Sequence, residues 1–312
     1  MKDFITYLNK YLRRLTLTSM LSTIIFISIL IICNYTFGIE RRIRDIRPWY
    51  LSLSSFFFFY SFVFYFAWGL TGIPAIRPPA DRRHFLLILM AAPLYFSFKM
   101  IHWDLSPLLP DGLHYPWDRY ALIVLQLPAK LLLLCVLLWC CDKLLRQENI
   151  SGSAVFGLTT RNFRAAPYFI LLTLMLPLVA LASTRPDFLH TYPKVKNVAF
   201  ITGYTSHSWP WQLLYELSYG LDFFSIELFF RGLLVIGLAH YAGEKAILPM
   251  AAFYCTIHFG KPLGECISSF FGGLILGVIA LRTRSILGGL IVHLGLAWLM
   301  ELGGWLGNLF SL

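Results

Sequence analysis

Charge is what this chain has least of. Only 13% of its 312 residues are Asp, Glu, Lys or Arg, against about 25% in soluble globular domains. Hydrophobic side chains make up 58%, and the mean hydropathy is +0.67. A soluble globular protein is thereby excluded. Cysteine is sparse: Cys33, Cys135, Cys140, Cys141, Cys255 and Cys266 lie in or beside apolar runs without CxxC spacing, so neither a disulfide framework nor a cysteine metal site is expected. There is no internal repeat and no low-complexity tail. The first apolar run lacks a small-residue cleavage site, which makes it a retained span and not a signal peptide.

What is present is a series of apolar runs long enough to cross about 30 Å of hydrocarbon. They fall near 15–38, 50–70, 85–102, 120–141 and 167–183, then near 211–239, 246–259, 266–281 and 286–308. The pattern predicts an all-α polytopic membrane protein of eight or nine transmembrane helices. The run ending at His258 is short for a full crossing and is expected to be tilted or shielded by protein. A polar stretch over 184–210 separates an N-terminal region of five spans, 1–183, from a C-terminal four-helix core, 211–312. The net charge of +10 sits in short segments between runs, which suits orientation charges and anionic headgroups, with membrane lipid as a partner and no nucleic acid. The Lys and Arg bias favours a cytoplasmic N-terminus, against the dissent of Arg41, Arg42, Arg44 and Arg47.

Ionisable groups inside a bilayer cost at least about 2.5 kcal/mol each on insertion scales and so need a reason. The densest set lies in and between the last four runs: Glu216, Asp222, Glu227, Arg231, His258, Glu265, His293 and Glu301. Glu227 and Arg231 are four apart, on one helix face, where a charge-assisted hydrogen bond can form; the plain alternative is a structural ion pair. His258 precedes a turn containing Gly260, Pro262 and Gly264, and at a helix end a histidine is commonly structural. His293 follows Gly288 and Gly289 among aliphatic residues and needs a partner from another helix. Two histidines and a carboxylate from three helices would hold a metal or orient a water for hydrolysis.

Three elements in order, Ile226-Glu227-x-x-x-Arg231-Gly232, Tyr254-x-x-x-His258 and Arg282-Thr-Arg284 running to His293, resemble the CPBP intramembrane proteases, the CAAX protease and bacteriocin-processing family. The resemblance covers 213–308, and Phe-Gly-Leu-Thr-Thr-Arg at 156–161 is similar to a further feature of such proteins. It implies a CPBP-like core and an intramembrane endopeptidase of protein or peptide substrates, with Glu227, Arg231, His258 and His293 as catalytic residues, in a multi-pass cell-membrane protein, bacterial and of the inner membrane. Two positions depart from the family. Its first glutamate, which activates water, is Ile226 here, and its last-motif asparagine or aspartate is Ala297. Asp222, one turn before Ile226, and Glu265 are the acids available as replacements.

In a metal-free mechanism Glu227 and His258 take a proton from water, His293 donates to the oxyanion and Arg231 orients Glu227. In a metal form, Glu227, His258 and His293 ligate a divalent ion such as zinc; the family favours the metal-free form, and the cofactor is left as none or such an ion. The alternative function is a catalytically inactive CPBP-like protein acting as a binding, immunity or accessory factor. Transport, carried by Lys130 within the 120–141 run, is a third class. The aromatic run over 56–68 is expected to face lipid or pack, and Trp103, Trp117, Trp209 and Trp211 to sit at membrane interfaces.

Overall fold

The computed structural model describes residues 2–74, 76, 79–146, 155–161 and 163–310. Among these residues the regular structure is helical, without a strand. In chain order the α-helices are α1 (Lys2–Arg14), α2 (Leu17–Phe37), α3 (Ile39–Asp45), α4 (Trp49–Thr71), α5 (Pro79–Met100), α6 (Trp117–Arg146), α7 (Ala166–Ala182), α8 (Pro186–Thr191), α9 (Trp209–Glu227), α10 (Ala239–Ala242), α11 (Ile247–Thr256), α12 (Leu263–Thr283) and α13 (Leu287–Phe310). Leu17–Phe37, Trp49–Thr71, Trp117–Lys143, Leu263–Thr283 and Leu287–Phe310 are long and apolar enough to cross a membrane. The chain is an all-α polytopic membrane protein, as its composition predicts.

Two compact units emerge. The first comprises Met1–Ile101, Leu137–Arg164 and Glu227–Gly289, the second His102–Val136, Ala165–Ile226 and Leu290–Leu312.

In the first unit α11 occupies the centre, with all ten of its residues buried. It packs on α12, α4, α2 and a π-helical segment over Leu228–Gly237. That shielding is why so short an apolar run is stable at this depth: its polar groups meet protein, so it need not reach either membrane face. On α4 the aromatic run divides by helical spacing. Phe56, Tyr60, Phe64 and Trp68 are buried, whereas Phe58, Phe62 and Phe66 are exposed. The buried stripe meets Phe96 of α5 and Phe253 of α11, with Tyr60–Phe96 crossing edge to face at 5.7 Å and Phe64–Phe253 tilted at 5.2 Å. The run both packs and faces outward, on opposite sides of one helix. Helix α2 is likewise two-sided. Its outer stripe is Leu17, Leu21, Ile25, Ile29 and Ile32, and its buried side carries Phe26, Ile27 and Ile31 together with the polar Thr23 and Asn34.

Helix α12 approaches α11 through Gly273 and Gly277, a small-residue pair one turn apart that lets the backbones close. A Cβ at Gly273 would lie 2.9 Å from Tyr254 Cδ1, and one at Gly277 2.6 Å from Met250 Cε. Phe156 and Gly157 both have positive φ, 50° and 80°, and form a tight turn docked on the π segment, where Gly232 admits the Phe156 carbonyl at a distance no Cβ would tolerate. Ile286 N–H donates to Gly157 O at 3.0 Å and Ser285 Oγ to Thr159 O at 2.7 Å. The stretch 156–161 is thus a structural strap on the segment that carries Arg231.

In the second unit α13 lies close to α7 and α8 through Gly295, Gly303, Gly304 and Gly307, around a core of Val179, Phe188, Tyr192 and Met300. The polar stretch 184–210 is itself ordered, holding α8 and a 3-10 helix over Lys194–Tyr204. The Glu301 carboxylate accepts from the N–H groups of Lys194 at 2.7 Å and Val195 at 3.1 Å. It thereby satisfies donors that open this helix and find no partner within it.

Phe64→Ala is expected to lower stability by about 3 kcal/mol through cavity formation, and Gly273→Val by about 1–3 kcal/mol through overpacking, whereas Phe58→Ala leaves it nearly unchanged. Denaturation in detergent micelles measures all three.

Candidate active site

Glu227 is the last residue of α9, and Arg231 lies one turn on, within the π segment. Both side chains are fully buried. Arg231 Nη1 lies 3.0 Å from Glu227 Oε1. Burying either charge alone would cost several kcal/mol, so the pair is what permits both. Room for the carboxylate comes from Gly289 at the start of α13: a Cβ there would overlap Glu227 Oε2. Of the two glycines before His293, Gly289 therefore has a steric purpose, to let the acid in.

A π-helical stretch bonds each residue to the fifth along in place of the fourth, and such segments mark functional sites more often than packing alone would produce. Here it widens the helix where Phe229, Phe230 and Arg231 turn inward; Phe230 stacks edge to face on Tyr254 at 5.0 Å. The Arg231 guanidinium lies over the face of the Tyr254 ring, 4.3 Å from its centroid, a cation–π contact that strengthens where water is excluded. Among the described residues the Arg231 nitrogens make no hydrogen bond of regular geometry; Nη1 is held by the ion pair and the guanidinium by the Tyr254 ring.

Tyr254 also touches His258. Their ring centroids are 4.7 Å apart, and His258 Nδ1 lies 2.9 Å from the Tyr254 carbonyl oxygen. A carbonyl can only accept, so Nδ1 carries a proton, and in the neutral ring the lone pair is then on Nε2. That tautomer is the one a general base requires. Tyr254 is thus the residue that joins Arg231 to His258. Its spacing four before His258 is the signal in the sequence, one turn of helix placing its ring beside the imidazole; by residue type alone it looks like core.

The first unit therefore brings together Glu227, Arg231 and His258, linked through Tyr254. Glu265 belongs to the same unit, in the first turn of α12, where it pairs with Lys261 at 3.0 Å. His293, Asp222, Glu216 and Glu301 belong to the second unit. There His293 is partly buried against Phe223, with ring centroids 5.0 Å apart, and the Asp222 carbonyl accepts from Ser225 Oγ at 2.7 Å. Ile226 and Ala297, the two departures from the family pattern, are buried apolar residues of that unit. Lys130 is buried there too, on α6. Among the described residues no group of three or more His, Cys, Asp and Glu side chains is arranged to hold a metal ion.

Replacing Arg231 by Met strands the buried Glu227 carboxylate and is expected to cost about 3–5 kcal/mol, and the double change Glu227→Gln with Arg231→Met to recover most of that. Unfolding of the single and double variants in micelles measures the difference. Additive losses would mean the pair is not mutually compensating.

Residues 195–299 match the family model described as type II CAAX prenyl endopeptidase Rce1-like. The match takes in Glu227, Arg231, Tyr254, His258 and His293, and it is the family the three motifs resemble. Nothing among curated proteins or solved structures matches the chain. Over residues 195–299 this polytopic membrane chain therefore matches the Rce1-like family, within the CPBP proteases.

Proposed function

We propose that the protein is an intramembrane endopeptidase that hydrolyses a peptide bond of a protein or peptide segment reached from the membrane, without a metal. One observation carries the proposal: in the family-matched segment Tyr254 couples the buried Glu227–Arg231 pair to a histidine whose Nε2 is set as an acceptor.

His258 Nε2 takes a proton from the attacking water, and Glu227, held in place by Arg231, orients that water and stabilises the imidazolium that forms. The water oxygen bonds to the scissile carbonyl carbon, and the proton passes from His258 to the departing amine as the C–N bond breaks. Arg231 Nε and Nη2 are the unmatched donors of the site, suited to a carbonyl oxygen that gains negative charge. For His293 the proposal rests on its motif, which assigns it a donor role towards the oxyanion. The missing first glutamate lowers the number of acids at the site but leaves one acid and one base, the minimum for water activation.

The test is cleavage of a fluorogenic peptide library by the purified full chain in liposomes. Glu227→Gln and His258→Ala are each expected to reduce turnover by about 10²–10⁴-fold, with no effect of a chelator on the native protein. Ile226→Glu combined with Ala297→Asn, which restores the family pattern, is expected to raise it. Equal signals from native and variant proteins would remove every catalytic role assigned above.

A further inference from the structure

His258 stands on a turn and not on a helix. Helix α11 ends at Thr256, and the chain then folds back through short bonds from His258 N to Cys255 O, Phe259 N to Thr256 O and Lys261 N to His258 O. Gly260 follows, free in its backbone, and Pro262 fixes only its own φ before α12 begins at Leu263. A base must nevertheless be held to within a fraction of an ångström of its productive position.

Beside the contacts of His258 with Tyr254 and of Lys261 with Glu265, further constraints come from the other end of the chain. Asn34 on α2 is 4% exposed. Its Nδ2 donates to the Phe259 carbonyl at 2.9 Å, and its Oδ1 accepts from the N–H of Glu40 at 2.9 Å. The neighbouring Tyr35 hydroxyl donates to the Lys261 carbonyl at 2.6 Å. Between them Gly38, at φ 62°, ends α2 and starts α3 at once, which turns Glu40 back towards the same place. The Glu40 side chain, buried and paired with Arg44, lies against Gly260, where a Cβ would stand 3.0 Å from Oε2. Two carbonyls of the histidine turn and its glycine are thus held from α2 and α3, both outside the family-matched segment.

We propose that Asn34, backed by Glu40, is a positioning residue for the reaction: by fixing the Phe259 carbonyl it sets the path of the turn that presents His258 Nε2. The inference rests on the catalytic reading of His258. A cap that merely joined α2 to α3 would need the Glu40 N–H bond alone; the second bond, to the residue next to His258, is what assigns the further role.

The test uses the full chain in liposomes, with Asn34→Leu, Asn34→Asp and Glu40→Gln. Two quantities are read: kcat and KM for peptide cleavage, and the rate at which diethylpyrocarbonate modifies His258 relative to exposed His207, followed by peptide mass spectrometry. Asn34→Leu is expected to lower kcat about 10–100-fold with KM little changed, and to alter the His258 to His207 modification ratio while the unfolding midpoint stays close to native. Glu40→Gln should move both readouts in the same direction and less far. If Asn34→Leu does not fold, Asn34→Asp, which keeps the acceptor for Glu40 N–H and loses the donor to Phe259, decides. Unchanged kcat and unchanged ratio overturn the proposal, as does a loss of kcat accompanied by equal changes at every histidine. If the native protein cleaves nothing, the catalytic reading fails, and the modification ratio alone still decides whether Asn34 holds the turn.

Discussion

The structure turns on one constraint, that a full positive and a full negative charge are kept where water is scarce. Glu227 and Arg231 are each fully buried, and neither could stay there ionised without the other. Much of the first unit can be read as the consequence. Gly289 lacks a side chain because the carboxylate occupies that space. Tyr254 turns its ring to the guanidinium, and Phe230 packs against the edge of that ring. The Phe156–Gly157 turn closes over Gly232 immediately after the arginine. An apolar replacement of the pair would be simpler to fold, which is a reason to regard it as chemistry and not only packing.

Much of the helical layout was legible in the sequence, since bilayer-length apolar runs bounded by Gly, Pro or charge admit few other interpretations. The run expected over 15–38 is Leu17–Phe37, that over 50–70 is Trp49–Thr71, and that over 167–183 is Ala166–Ala182. Less was visible where hydropathy is silent. The run over 211–239 looks like one helix, yet it is α-helical to Glu227 and π-helical beyond, because a change of hydrogen-bond register leaves apolar content untouched. The aromatic run on α4 gave two alternatives that are both true, one for each face.

Of the site itself, the spacing of Glu227 and Arg231 was a sound guide to their ion pair, being a property of one local turn. The role of Tyr254 follows from the same kind of spacing but needs the rotamer to be seen. Asn34 and Glu40 were beyond reach. By position they look like a polar residue near the end of a span and a charge outside it, and the residues of the histidine turn that they touch, Phe259 and Gly260, lie more than two hundred residues away. No local pattern encodes a contact of that range.

That range has a consequence for how the protein is made. Synthesis proceeds from the N-terminus, so α2 is made long before the Phe259 carbonyl that Asn34 will hold. The unit holding the histidine turn is closed only when α11 and α12 emerge from the ribosome. The histidine turn therefore gains its hold from α2 and α3 only after most of the chain has been made.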